Sequence, residues 1–103
     1  DSRAPSTRAF SEEGTPGRAT LESRRVAEAR ALLRTGKPLA ALAALSALGA
    51  EFPRGALVQE REALVVEALL ASGRRDEARQ RAREFLARYP TSPHAAAAKR
   101  ALR

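Results

Sequence analysis

The residues able to do chemistry are few and poorly grouped. His94 is the single histidine, and the chain has no cysteine. Disulfides, thiolate nucleophiles and thiolate metal sites are therefore excluded, and one imidazole without further ligands does not make a zinc site. Glu60, Glu62 and Glu67 fall within one short stretch. On a helix, residues two apart do not face each other. A working carboxylate pair also needs a concave, water-excluding pocket, which the pattern does not signal. The doublets Arg24-Arg25 and Arg74-Arg75 are of a kind that touches phosphates. No phosphate-binding loop and no aromatic platform for stacking bases accompanies them. The expectation is a non-enzymatic chain with no catalytic, metal or cofactor-binding residues and no small-molecule substrate.

The elements that carry these residues are legible from composition. The chain has 103 residues, 44% of them hydrophobic but only 4% aromatic, and its net charge is +7. Its apolar residues are mostly Ala and Leu, which lose little entropy on entering a helix. The length allows one small domain. The positive balance raises nucleic acid or an anionic surface as partners. The basic residues, however, are spread over every segment and alternate with Glu on helix faces, the pattern of solvated charge. No apolar run is long enough to span a bilayer. The chain starts at Asp1, so the expectation is a processed or excised piece of a longer protein.

Residues 1–19 contain Pro5, Gly14, Pro16 and Gly17 among Ser and Thr, with Phe10 as the only large apolar residue. They read as a disordered tail or linker. Thr20 is a candidate cap for a first helix carrying Leu21, Val26, Ala29, Leu32 and Leu33 to Thr35, ended by Gly36. Pro38 opens a second helix with Leu39, Leu42, Leu45 and Leu48 on its inner face, stopped by Pro53. A third runs from about Gly55 to Ser72 with Leu57, Leu64, Val65, Ala68 and Leu69 inward. A fourth runs from Arg75 to Arg88 with Ala78, Ala82, Phe85 and Leu86 inward. Ser92 and Pro93 start a short last helix, expected to leave His94 solvated at its head and to bear Ala97, Ala98, Ala101 and Leu102.

These helices repeat at an offset of 37 residues. Gly36 maps onto Gly73, Ala41 onto Ala78, Ala50 onto Ala87 and Pro53 onto Pro90. Ala31-Leu32-Leu33 maps onto Ala68-Leu69-Leu70, and Phe52 onto Tyr89. The Gly and Pro pairs weigh most, because they set backbone geometry. The turn Gly73-Arg-Arg-Asp-Glu-Ala78, with a proline twelve residues after the alanine, resembles the tetratricopeptide (TPR) repeat. Tyr89-Pro90-Thr-Ser-Pro93 is similar to the joint between repeats in TPR-like bacterial envelope proteins such as outer-membrane assembly lipoproteins. The resemblance covers residues 21–103. The chain departs from the family in its period of 37 against 34, and in Arg25 and Glu62 where an aromatic is usual.

The resemblance implies an all-α fold of two helix-turn-helix repeats, about 20–53 and 55–90, and a capping helix at about 93–102. It implies right-handed α-α stacking and about five helices. It further implies a protein partner, a peptide or a helix, in a shallow groove. The groove positions carried over are Val26, Arg30, Leu33, Arg34, Glu60, Ala63, Glu67, Leu70 and Arg100, with Ala97 beside them. Arg30, Arg34 and Arg100 would clamp carboxylates, since a guanidinium matches them bidentately. The competing reading pairs Arg30 with Glu67 and leaves no ligand. The functional expectation is an interaction or scaffolding module of a larger bacterial protein, periplasmic or cell-envelope rather than cytoplasmic. The alternatives are an Arg-rich face that binds nucleic acid or an anionic surface, which the dispersed charge disfavours, and a self-association (homodimer) domain.

Overall fold

The computed structural model of the chain describes residues 16–103. Five helices follow in order: α1 Pro16–Arg34, α2 Pro38–Glu51, α3 Val58–Ala71, α4 Arg75–Arg88 and α5 Ala95–Ala101. The fold is all-α, with no strand among the described residues.

The two hairpins share their backbone detail. Gly36 and Gly73 take left-handed φ of 78° and 82°, where a side chain would be strained. Each closes the helix before it in the same way. Lys37 N–H donates to Leu32 O at 2.8 Å, and Arg74 N–H donates to Leu69 O at 2.9 Å. Pro38 then occupies the first turn of α2, where its missing donor costs nothing. At the far ends, Phe52 (φ −127°, ψ 65°) and Tyr89 (φ −131°, ψ 63°) cap α2 and α4 alike.

Three boundaries differ from the sequence expectation. Residues 16–19, read as tail, form the first turn of α1, so Thr20 lies inside the helix rather than at its cap. Pro16 suits a helix start. Arg18 anchors the turn, its Nη2 donating to Glu51 O at 3.0 Å and its guanidinium lying 4.5 Å over the Phe52 ring. The tail reading of 1–15 falls outside the described residues. α3 begins at Val58 and not near Gly55, which lies in the preceding turn with its N–H donating to Phe52 O. α5 begins at Ala95, after a turn from Ser92.

Alanines supply more than half of the buried apolar residues, and Ala29, Ala41, Ala68, Ala78, Ala82 and Ala98 are wholly inaccessible. With so little between the backbones the helices approach closely. One apolar cluster joins α1 and α2 to α3 through Val26, Ala29, Leu45, Leu48, Phe52 and Leu64. A second joins α3 to α4 and α5 through Val66, Leu69, Ala78, Ala82, Phe85 and Ala98. Leu39 is an exception, 64% exposed. Leu39 and Leu48 are nine residues apart, about half a turn round the helix, so a run of leucines at every third position cannot share one face. Ala41, Leu45, Leu48 and Phe52 form the buried face instead. Leu102 is likewise 38% exposed rather than inward.

Neighbours in sequence pack on each other. α1 also touches α3, and α3 touches α5, whereas the α2 and α4 backbones stand apart. The stack therefore draws together on the side of α1, α3 and α5 and spreads on the other.

Candidate functional site

Two joints position the helices that line this inner side. In the first, Glu22 and Arg61 are almost fully buried, at 2% and 6% exposure. Arg61 Nη1 donates to Phe52 O at 2.8 Å and to Leu48 O at 3.2 Å, and lies 3.4 Å from Glu22 Oε2. That carboxylate also accepts Leu57 N–H at 3.2 Å. One ion pair thus ties α1, the C-terminal end of α2 and the start of α3 together. Gly55 runs past it so closely that a Cβ would collide with the Glu22 carboxylate. The sequence reading missed both Glu22 and Arg61. The available signal was Gly55 two residues after a proline, a position where backbone and side chain meet closely.

The 430 Å³ cleft beside this joint is lined by Arg18, Glu22 and residues 52–56. Its Glu22 and Arg18 are engaged within the fold as described.

On the inner side, a cleft of 240 Å³ lies between α1, α3 and α5. It is lined by Arg30, Glu60, Ala63, Glu67, Ala97 and Arg100, all expected groove positions, together with Leu64, Pro93, His94 and Ala96. Glu60 and Glu67 come from the central helix α3. Arg30 on one flank pairs with Glu60, and Arg100 on the other lies 3.8 Å from Glu67. The alternative pairing of Arg30 with Glu67 is not the one formed. Each base has its own acid, one bridging α1 to α3 and the other α3 to α5. All four side chains are 21–49% exposed, so the pairs are solvated and worth roughly 0.2–1 kcal/mol each.

The remaining groove positions go elsewhere. Val26 is 1% exposed and belongs to the core, because it is enclosed in the apolar cluster that α1 and α2 form with Leu64 of α3. Leu33 and Leu70 are half-buried and pack against the two apolar clusters instead of lining the cleft. Arg34, on the last turn of α1, is exposed and outside it. His94, expected to be solvated, is half-buried and sits on the cleft wall, its N–H donating to Ser92 Oγ at 3.0 Å. Nothing in the composition marks it, since only the joint before α5 turns it inward.

Among the described residues no group of three or more His, Asp or Glu side chains could hold a metal ion. No described helix is long and apolar enough to cross a membrane. What this arrangement can do is present two acid–base pairs over a floor of small side chains. Comparison of the chain with protein-family models, with curated proteins and with solved structures returns no match.

Proposed function

We propose that the chain is a non-catalytic TPR-like interaction module that holds a peptide or short helix of another protein against α1, α3 and α5. The observation that carries this reading is the cleft itself. Its floor of Ala63, Ala96 and Ala97 leaves room for a second backbone. Its rim bears Arg30, Glu60, Glu67 and Arg100, a sequence of charges plus, minus, minus, plus. Such half-exposed pairs exchange at little cost for a partner's charges, while their order selects the register in which a partner lies.

A random peptide library selected against the protein tests this. Binders are expected to lose most of their affinity for the Arg30→Glu/Arg100→Glu double variant while its helicity stays unchanged. A selection in which every binder is indifferent to that variant would place the partner elsewhere and end this reading.

A further inference from the structure

The interior of the stack records how it receives a helix. α4 packs on α3, and the open cleft it leaves toward α2 is lined by Leu42, Ser46 and Gly49 of α2, by Glu62 and Val65 of α3, and by Arg81 of α4. Arg81 Nη2 meets Glu62 Oε1 at 3.2 Å. Leu42 and Val65 pack against the second apolar cluster.

The 37-residue offset carries this same seam to the outer edge of α4 and α5. There Leu42 becomes Arg79, Ser46 becomes Arg83, Gly49 becomes Leu86, Glu62 becomes Lys99 and Val65 becomes Leu102. The joints leading into α3 and α5 share their backbone geometry, and Leu102 stands at the C-terminal end of the shorter α5. Leu86 is half-buried, Leu102 is 38% exposed, and Arg83 and Lys99 are exposed. Arg79, Arg83 and Lys99 take part in no ion pair among the described residues. Leu86 and Leu102 supply the apolar centre, Lys99 stands where α4 finds the Glu62 carboxylate, and Arg79 and Arg83 add positive charge where Leu42 and Ser46 stood.

We propose that this edge receives an acidic amphipathic helix of another protein, with apolar residues on Leu86 and Leu102 and carboxylates on Arg79, Arg83 and Lys99. A second copy of the chain does not fit. Its own helix of this kind, α4, carries Arg75, Arg79, Arg81, Arg83 and Arg88 against Asp76, Glu77 and Glu84, a positive excess, and like charges set face to face repel. Duplex nucleic acid matches the charge but offers nothing to the two leucines.

The probe is a fluorescent peptide of the α4 sequence, Arg75–Arg88, with Arg79, Arg81 and Arg83 replaced by glutamate; the control is the unaltered peptide. At about 0.15 M salt, where distant charges are screened, the acidic peptide is expected to bind and the basic one not. Arg83→Glu with Lys99→Glu, both at exposed positions, is expected to weaken the acidic peptide roughly tenfold and to admit the basic one. The groove variant Arg30→Glu/Arg100→Glu is expected to leave the acidic peptide unaffected. The proposal is overturned by no binding of the acidic peptide, by equal binding of both, or by indifference to the double variant. It is overturned equally by tighter binding of a labelled DNA duplex than of the acidic peptide, or by self-association that the double variant abolishes.

Discussion

The joints Phe52–Leu57 and Tyr89–His94 follow one backbone path with two different chemistries. Leu57 (φ −104°, ψ 24°) and His94 (φ −97°, ψ 11°) stand at the same point, each just before a helix. Each has an amide donor to satisfy. In the first joint the acceptor is Glu22, 35 residues away in sequence. In the second it is Ser92 Oγ, two residues away. The offset turns Glu22 into Gln59, Gly55 into Ser92 and Arg61 into Ala98. The buried ion pair is thus replaced by a local cap and a methyl group. The fold needs the donor satisfied and the turn made; it does not prescribe how. The local solution leaves α5 a thin alanine helix. The long-range one fastens the first hairpin to the second.

Breaking the ion pair should have the largest effect. Arg61→Ala leaves the Glu22 carboxylate buried and unpaired, an error costing about 3–5 kcal/mol. For a domain this small that is a large part of its stability, and urea denaturation followed by circular dichroism would measure it. Converting the first joint wholly into the second sharpens the point. The triple variant Glu22→Gln/Gly55→Ser/Arg61→Ala should lose less than Arg61→Ala alone, because no charge is left buried and the introduced hydroxyl can accept Leu57 N–H. A loss equal to the sum of the three single effects would contradict the equivalence of the joints. Next comes Gly55→Ala, whose Cβ displaces the carboxylate from Arg61, at about 2 kcal/mol. Ser92→Ala in the second joint removes only the local cap and should cost about 1 kcal/mol. Smallest is Arg30→Ala in the groove. It should change stability by less than about 1 kcal/mol while weakening any groove peptide, so that binding and stability separate.

The same contrast explains what could be read from the sequence. Gly36, Pro38, Gly73 and Pro90 act through their own backbone, so the helices and their offset were legible without tertiary knowledge. Ser92 was legible as the start of α5 for the same reason, although its hydroxyl serves His94 and the helix opens later, at Ala95. Glu22 and Arg61 were not. Each looks like one more charge on a charged helix, and only the closure of α1 over the joint buries them. The groove was half legible. The positions carried over from the TPR resemblance put Arg30, Glu60, Ala63, Glu67 and Arg100 on one cleft. They put Val26 there as well, because a carried-over position does not say which neighbour covers a residue. The start of α1 at Pro16 was hidden because its anchor, Arg18 on Phe52 and Glu51, joins positions more than thirty residues apart.

The claim that matters most is that the face of α1, α3 and α5 is where a partner lies. Amide chemical-shift mapping with a library peptide that the Arg30→Glu/Arg100→Glu variant weakens tests it directly. The account predicts that shifts concentrate at Arg30, Glu60, Ala63, Glu67, Ala96, Ala97 and Arg100, with the outer faces of α2 and α4 still. Shifts centred on the outer faces of α2 and α4, with the cleft unmoved, would contradict it.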